Sequence, residues 1–197
     1  MTTDAAVPRI APLQAPFEPE AAAQLERWMP PGSGIEPLAL FRTLVRHERL
    51  AARMRPLGAG ILGSGASVPI ELREVMIDRT CALAGAEYEW GVHVAFFADR
   101  VGLTPDQVTS LTHGGPDDPC WDDEGEQAII RAVDDLHDRS TVADATWALL
   151  ERHLSEEQQL DLLMLCGWYH AISFVANGAG MVGEPGAPTF ADVAPGA

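Results

Sequence analysis

The strongest constraint in this sequence is a repeated set of helix-start and helix-end signals with no strand-like alternation between them. Thr104–Gln107 and Ser155–Gln158 both have the form of a capping box, in which a hydroxyl and a glutamine side chain satisfy free amides at a helix start. Prolines open further segments at Pro37 and Pro69, and Gly102 ends another. Because apolar residues recur every three or four positions, the sequence predicts an all-α fold.

These signals divide the chain into helices joined by short loops. The glycine-rich stretch 58–65 lacks the Lys-Ser/Thr ending of a phosphate loop, so it is predicted to be a turn between helices. Prolines concentrated near the start predict an arm with one short helix over residues 1–36, followed by a helical domain over 37–182 and a tail over 183–197. The main predicted helices are Glu18–Met29, Pro37–Met54, Pro69–Ala84, Glu87–Val101, Asp122–Arg139, Asp144–Leu154 and a last helix from Ser155 to about Asn177.

Charge and cysteine usage narrow the class of protein. Twenty-nine acidic and thirteen basic residues give a net charge of −16, which repels nucleic acid and anionic membrane surfaces. The first residues lack the pattern of a signal peptide, and no uninterrupted apolar run reaches the roughly 18 residues of a membrane span. Cys81, Cys120 and Cys166 form no CxxC pair and are expected to be reduced thiols. We therefore expect a soluble, cytoplasmic protein with a small-molecule substrate and no nucleic-acid or membrane partner.

One predicted helix, Pro69–Ala84, carries an acid in the middle of an apolar stripe. Glu74 lies on the same face as Ile77 and Cys81, whereas Asp78 is expected on a charged, solvated face. A carboxylate on a buried face must be paired, hydrogen-bonded or neutral, because burying it bare costs several kcal/mol, on the order of 5. Glu74 is therefore a candidate functional residue.

The next helix repeats the anomaly with a histidine. His93 lies in a stripe with Trp90 and Phe97, and Glu89 precedes it by one helical turn. A tight turn at Gly85 should pack the two helices antiparallel, so that Glu74 can reach the imidazole.

Three interpretations of this cluster stay open. It can be a buried pair that orients the helices, or an acid/base group whose pKa values are moved toward neutrality by burial. The spacing of Glu89 and His93 also suits two metal ligands, with Glu74 as a third. Because one ExxxH motif without a second histidine motif is a weak signal, no metal is assigned.

The last helix offers further pocket candidates. His170 and Asn177 interrupt a stripe with Cys166 and Phe174; a core histidine is the simpler interpretation, but these side chains can also line a pocket beside Glu74 and His93. The candidate acid/base residues are Glu74, Glu89 and His93, and the candidate substrate-binding residues are Tyr88, Trp90, Phe97, His170 and Asn177.

The segment ELREVMIDRTCALAGAEYEWGVHVAFFADRVGLTPDQV resembles the carboxymuconolactone decarboxylase-like family, which includes the alkylhydroperoxidase D-type (AhpD-like) proteins. LFRTLVRHERLA and LLMLCGWYHAISFVANGAG extend the resemblance over roughly residues 37–182. In the peroxidase branch a glutamate precedes a CxxC by twelve residues, and a histidine follows the second cysteine by four. Glu74 and His93 match that glutamate and histidine, whereas Ala86 and Glu89 stand at the cysteine positions.

The resemblance implies an all-helical domain that assembles as a trimer or hexamer and works without a cofactor. Since a thiol peroxidase needs a thiolate and a partner cysteine, peroxidase activity is not expected. The expected function is that of a decarboxylase, lyase or isomerase acting on a small carbonyl- or lactone-containing molecule. The alternatives are an antioxidant role through Cys81 or Cys166, and a non-catalytic oligomeric ligand-binding protein.

Overall fold

The computed structural model describes residues 7–29 and 34–196 of the chain. Part of the predicted arm, residues 1–6 and 30–33, and the last tail residue lie outside the described residues. Within the described ranges the chain consists of helices and loops without a strand, so the all-α prediction is confirmed.

Ten α-helices follow one another in the described parts of the chain. Both predicted capping boxes are present, with Thr104 at the start of the seventh helix and Ser155 at the start of the tenth. A π-helix over Val94–Ala98 and 3-10 turns over Val45–His47 and Phe190–Val193 complete the described helical segments. The α-helices are α1 Pro19–Trp28, α2 Ala39–Leu44, α3 Glu48–Leu62, α4 Ile70–Leu83, α5 Glu87–His93, α6 Asp99–Val101, α7 Pro105–His113, α8 Glu124–Arg139, α9 Asp144–His153 and α10 Glu156–Ala179.

The prediction of a turn over the glycine-rich stretch 58–65 is confirmed only from Gly63 onward, because the first part of the stretch is helical. α3 continues through that part to Leu62. The reason is packing: a Cβ on Gly58 would lie 3.1 Å from a ring carbon of Trp168 on α10. Here glycine allows two helices to approach closely, a use that sequence alone does not distinguish from a turn.

The predicted helix over Glu87–Val101 contains a π-helical segment that begins directly after His93. A π-bulge adds one residue to the helical turn and therefore changes which side chains share a face. Gly102, with φ of 76°, ends the segment in the left-handed conformation, in agreement with the predicted stop.

α4 lies at the centre of the molecule. It contacts α5, α7, α8 and α10, and every residue from Arg73 to Cys81 is buried. This corrects the expectation that Asp78 is solvated, because its side chain is only 1% exposed. A helix surrounded on all sides has no charged outer face, so each polar residue on it must find a partner or be neutral.

A second apolar cluster joins α1, α2 and α3 to α5 and α10. Leu25, Leu40, Val45, Tyr88 and Ile172 are among its buried members. This cluster brings α1 and α2 to the same side of the molecule as α5. The boundaries of the predicted arm, domain and tail stay a prediction.

The segment after α10 returns over α5. The Phe190 ring packs against Trp90 at a centroid distance of 5.0 Å, and the Glu184 carboxylate accepts hydrogen bonds from the Tyr88 hydroxyl and the Ala39 amide. These contacts connect the C-terminal segment both to α5 and to the start of α2.

One described helix, α10, is long and apolar enough by length and composition to cross a membrane. The sequence analysis expected no such segment. In the structure its Leu162, Leu165 and Tyr169 side chains are buried in the core, as is usual for the central helix of a folded domain that passes the same test.

The close approach of the C-terminal segment to α5 predicts a sensitive glycine. A Cβ on Gly91 would lie 2.6 Å from the backbone oxygen of Pro188, so Gly91→Ala must displace that backbone. We expect the free energy of unfolding in urea to fall by about 1–3 kcal/mol. Gly60→Ala is the matched control, because a Cβ there meets no atom within 4 Å and the change should be neutral or stabilising by up to about 1 kcal/mol. Equal stabilities of the two variants would contradict the packing argument.

Candidate active site

The site begins with a hydrogen bond between α4 and α5. Glu74 Oε2 lies 2.7 Å from His93 Nδ1, and the two side chains are 5% and 9% exposed. The turn between the helices has Gly85 in the left-handed conformation with φ of 61°, which a residue with a Cβ adopts only with strain. The structure thus brings together the acid and the histidine that interrupt the two apolar stripes.

The other imidazole nitrogen faces α10. His93 Nε2 lies 3.0 Å from the Tyr169 hydroxyl and 3.7 Å from Glu89 Oε1. Glu74, His93 and Tyr169 therefore form a continuous hydrogen-bonded chain across three helices, with the Glu89 carboxyl beside it.

The sequence analysis did not assign a role to Tyr169. The stripe predicted on α10 ran through residues 163, 166, 170, 174 and 177, whereas the face that is buried runs through 162, 165, 169, 172 and 176. The signal was available, because that second set also follows helical spacing and is apolar apart from the tyrosine hydroxyl.

The charge of His93 depends on its carboxyl neighbours. Burial alone would lower its pKa. The hydrogen bond that the imidazole donates to Glu74, together with the charges of Glu74, Glu89 and Asp78, raises the pKa to about 9. The imidazole is therefore a cation at neutral pH, with Nδ1–H donating to the Glu74 carboxylate and Nε2–H directed at the Tyr169 oxygen.

Glu89 and Tyr169, which face the other side of the imidazole, both have raised pKa values. Burial raises the pKa of Glu89, an effect that His93 opposes and Glu74 reinforces. Burial, with the nearby carboxylates, also raises the pKa of Tyr169 well above its ordinary value. The phenol is thus a neutral hydrogen-bond donor, and the pKa of Glu89 lies above that of an exposed carboxyl group.

Asp78 adds a third carboxyl group to the cluster, next to Glu74 and Glu89. It was not among the site residues predicted from the sequence. Burial raises its pKa well above the ordinary value, and its Oδ1 has no hydrogen-bond partner among the described residues. Among the described residues, ligand atoms of Glu74, Asp78 and His93 all lie within 4.8 Å of one another, so these three side chains could hold a metal ion. A proton on Asp78 would neutralise this buried carboxylate just as a bound cation would.

A cavity of about 330 Å³ opens onto this cluster. His93, Glu89 and Tyr169 are among its polar lining groups. The surrounding walls are mostly apolar and come from helices α1 to α3, α5, α10 and the π-helix; they include Trp28, Phe41, Leu62, Phe97, Trp168 and Ile172. A mostly apolar cleft with a few convergent polar groups is the usual form of a small-molecule site.

Among the predicted substrate-binding residues, Phe97 lies in this cavity. Its ring stacks on the His93 ring at a centroid distance of 5.3 Å. Trp90 is instead fully buried in the main core against Phe190. Residues 89, 93 and 97 follow helical spacing, and Trp90 lies about 100° around the helix from Glu89.

The other three predicted substrate-binding residues, Tyr88, His170 and Asn177, make their contacts outside the cavity. The Tyr88 hydroxyl accepts a hydrogen bond from the Leu40 amide and donates one to Glu184. His170 packs against Phe174 at 4.7 Å and Asn177 Nδ2 donates to the Ala84 oxygen at 2.9 Å. The one-residue rotation of α10 described above places these two side chains away from the cavity.

The cysteines do not line the cavity in the part of the chain that the structure describes. Cys81 and Cys166 are buried, and burial raises the pKa of both thiols, that of Cys166 to about 12. Ala86, at the first cysteine position of the peroxidase branch, is also fully buried. Neither buried thiol therefore resembles an activated thiolate.

Comparison with known proteins gives results at the level of structure. No protein-family model matches the sequence, and no curated protein does so significantly. The fold is similar to that of an uncharacterized peroxidase-related protein from Silicibacter sp. TM1040, with a TM-score of 0.72 and 13% identity over 88% of this chain and 89% of that one. A protein of unknown function from Agrobacterium tumefaciens, described as a putative antioxidant defence protein AhpD, matches with a TM-score of 0.63 and 16% identity over 71% and 94%.

The third similar structure is that of an enzyme. The debrominase Bmp8 matches with a TM-score of 0.67 and 17% identity, covering 89% of this chain and 91% of that one. Its C82A variant in complex with 2,3,4-tribromopyrrole matches with a TM-score of 0.68. At these identities the comparisons establish the fold: the chain has the helical fold of AhpD-like and peroxidase-related proteins.

Proposed function

We propose that the chain is an acid/base enzyme, working without a cofactor, that acts on a small and mostly apolar carbonyl- or lactone-containing molecule. The observation that supports this most is the hydrogen-bonded chain Glu74–His93–Tyr169, which is buried among apolar side chains yet faces a cavity of about 330 Å³. Buried titratable groups with moved pKa values that converge on a cleft are typical of acid/base sites.

His93 is the proton donor in this proposal. Its pKa of about 9 keeps it protonated at neutral pH, and the Glu74 carboxylate holds the ring by accepting from Nδ1–H. The proton on Nε2 is then the one that leaves toward the substrate, either directly or through the Tyr169 hydroxyl at 3.0 Å.

Tyr169 and Glu89 are the groups that stabilise developing negative charge. In a decarboxylation next to a carbonyl the bond to the carboxylate carbon breaks, CO2 leaves and the electron pair of that bond forms an enolate. The neutral Tyr169 phenol, and Glu89 when it carries a proton, can donate hydrogen bonds to the enolate oxygen. The apolar walls strengthen those bonds because little water competes inside the cavity. Quenching of the enolate carbon by the His93 proton completes the reaction.

The aromatic walls also indicate the size and shape of the substrate. Phe41, Phe97 and Trp168 offer ring faces or edges to a ligand in the cavity. The bromopyrrole in the Bmp8 complex is a small ring compound, and a ring of similar size is the kind of molecule against which these walls can stack.

An antioxidant role through a thiol has less support. The buried cysteines have raised pKa values, and the described cavity lining contains no sulfur nucleophile. A non-catalytic ligand-binding protein would use the same cavity without proton transfer, and the variants below separate it from an enzyme.

Removal of the proton donor or its partner tests the proposal. With a panel of small carbonyl compounds and lactones, we expect His93→Gln and Glu74→Gln to lower kcat by about 10²–10⁴-fold, the usual contribution of a positioned acid or base. Tyr169→Phe should lower it by about 10²-fold, as for loss of one oxyanion donor. Glu71→Gln, an exposed site on α4, is the control and should keep full activity.

Circular dichroism and urea denaturation must accompany these rates. Folded His93→Gln and Glu74→Gln proteins with unchanged turnover would rule the acid/base role out. Loss of folding in both variants would instead show that the pair is structural.

The raised pKa of His93 predicts how stability depends on pH. The folded value of about 9 exceeds the ordinary value of 6.5, so between these pH values the folded state binds more protons than the unfolded state. The contribution is fully present below about pH 6.5 and is lost as pH rises through about 9, with a slope of up to about 1.4 kcal/mol per pH unit. Urea denaturation from pH 6.5 to 9 should show this fall in the natural protein. The fall should be weaker in His93→Gln, in which Glu89, Asp78 and the thiols still titrate; parallel curves would contradict the assignment.

Thiol labelling tests the antioxidant alternative. Cys120 is partly exposed, whereas Cys81 and Cys166 are buried. We therefore expect a thiol reagent to label one cysteine rapidly in the native protein and three after denaturation. Mass spectrometry after peroxide treatment should find no sulfenic acid or disulfide at Cys81 or Cys166, and finding either would favour the antioxidant function.

A further inference from the structure

Two arginines stand beside a cavity whose walls are otherwise mostly apolar. Arg27, in the last turn of α1, and Arg55, on α3, both line it, together with the polar groups Glu89, His93 and Tyr169. The whole chain carries a net charge of −16, so a pair of guanidinium groups at this place creates a positive region against the general field.

The Arg55 guanidinium is held in position by the backbone. Its Nε donates to the Arg27 carbonyl oxygen at 2.8 Å. That carbonyl lies in the last turn of α1, where helix oxygens lack partners within their own helix. This bond uses one of the five N–H donors of Arg55. The two terminal nitrogens remain available to a ligand, and they form the fork that recognises carboxylates.

Neither arginine has an acidic partner in the described parts of the chain. Five other arginines form ion pairs with Asp or Glu within 4.0 Å: Arg42, Arg79, Arg131, Arg139 and Arg152. Glu89 is the carboxyl group among the described lining residues, and its Oε1 lies 3.7 Å from His93 Nε2 and forms no ion pair with either arginine. The positive charge beside the cavity is therefore not cancelled by the lining.

We propose that the substrate is an amphipathic carboxylate, with an apolar, preferably aromatic, body in the cavity and its carboxylate on Arg55 and Arg27. This rests on the proposed function and adds the class and orientation of the substrate. The His93 end is unsuited to the carboxylate, because the Glu74 carboxylate, 2.7 Å from Nδ1, already matches the imidazolium charge. The reacting carbonyl consequently points toward His93 and Tyr169 and the carboxylate toward the arginines.

Binding of a matched probe pair to the full chain tests this orientation. 4-Phenylbutanoate and 4-phenylbutan-1-ol share a body and differ in the charge of one end. By isothermal titration calorimetry at pH 7 we expect the carboxylate to bind about three- to tenfold more tightly, a modest factor because Arg27 is exposed and Arg55 is half-buried. The double variant Arg27→Met/Arg55→Met should lose this preference and keep the affinity for the alcohol within about twofold.

Two control variants test which residues cause the preference for the carboxylate probe. Arg53→Met removes an exposed arginine of α3 that does not line the cavity and should leave the preference unchanged. His93→Gln should also keep the preference; its loss there would assign the anion to His93 and overturn the proposal.

Equal affinity of the natural protein for both probes, or a preference that survives the double arginine variant, likewise overturns the proposal. These results leave the proposed acid/base function standing, since that function is decided by turnover of the His93 and Glu74 variants. Absence of binding by both probes overturns the carboxylate proposal and counts against the cavity as a substrate site.

Discussion

The hydrogen bond between Glu74 and His93 is the interaction on which the rest of the structure depends. Both groups are buried, and neither charge could be placed there alone, because an unpaired buried ion is strongly unfavourable. The bond fixes α4 against α5, and the Tyr169 hydroxyl then fixes both helices against α10. The mutual position of the three central helices and the geometry of the candidate site thus have one physical cause.

The sequence was sufficient to predict that bond because each partner violates a local pattern. Glu74 and His93 interrupt apolar stripes, and Gly85 marks a tight turn between them. Asp78 and Tyr169 could not be found in the same way. Asp78 has charged neighbours in sequence and becomes buried only because helices pack on every side of α4, whereas Tyr169 depends on the rotation of α10, which helical periodicity leaves uncertain by about one residue.

The same distinction between local and long-range causes explains the fold. Capping boxes are local, and both were predicted correctly at Thr104 and Ser155. Gly58 has a long-range cause, since its missing side chain makes room for Trp168, more than a hundred residues away. The all-α class was therefore predictable, while the extent of α3 and the identity of most cavity residues required the packed structure.

The buried acids connect the stability of the domain with its chemistry. Three carboxyl groups surround one imidazole: burial raises the pKa of Asp78 and of Glu89, while Glu74 and His93 form a hydrogen-bonded ion pair. A substrate carbonyl that enters the cavity meets hydrogen-bond donors already in place, and no reorganisation of water is needed to provide them. Because the folded-state pKa of His93 is raised to about 9, the same ion pair that stabilises the packing of α4 against α5 also keeps a proton on the imidazole at neutral pH. In the proposed reaction this proton is the one that is donated, so a substitution that removes Glu74 should affect both the stability of the domain and the proton donor.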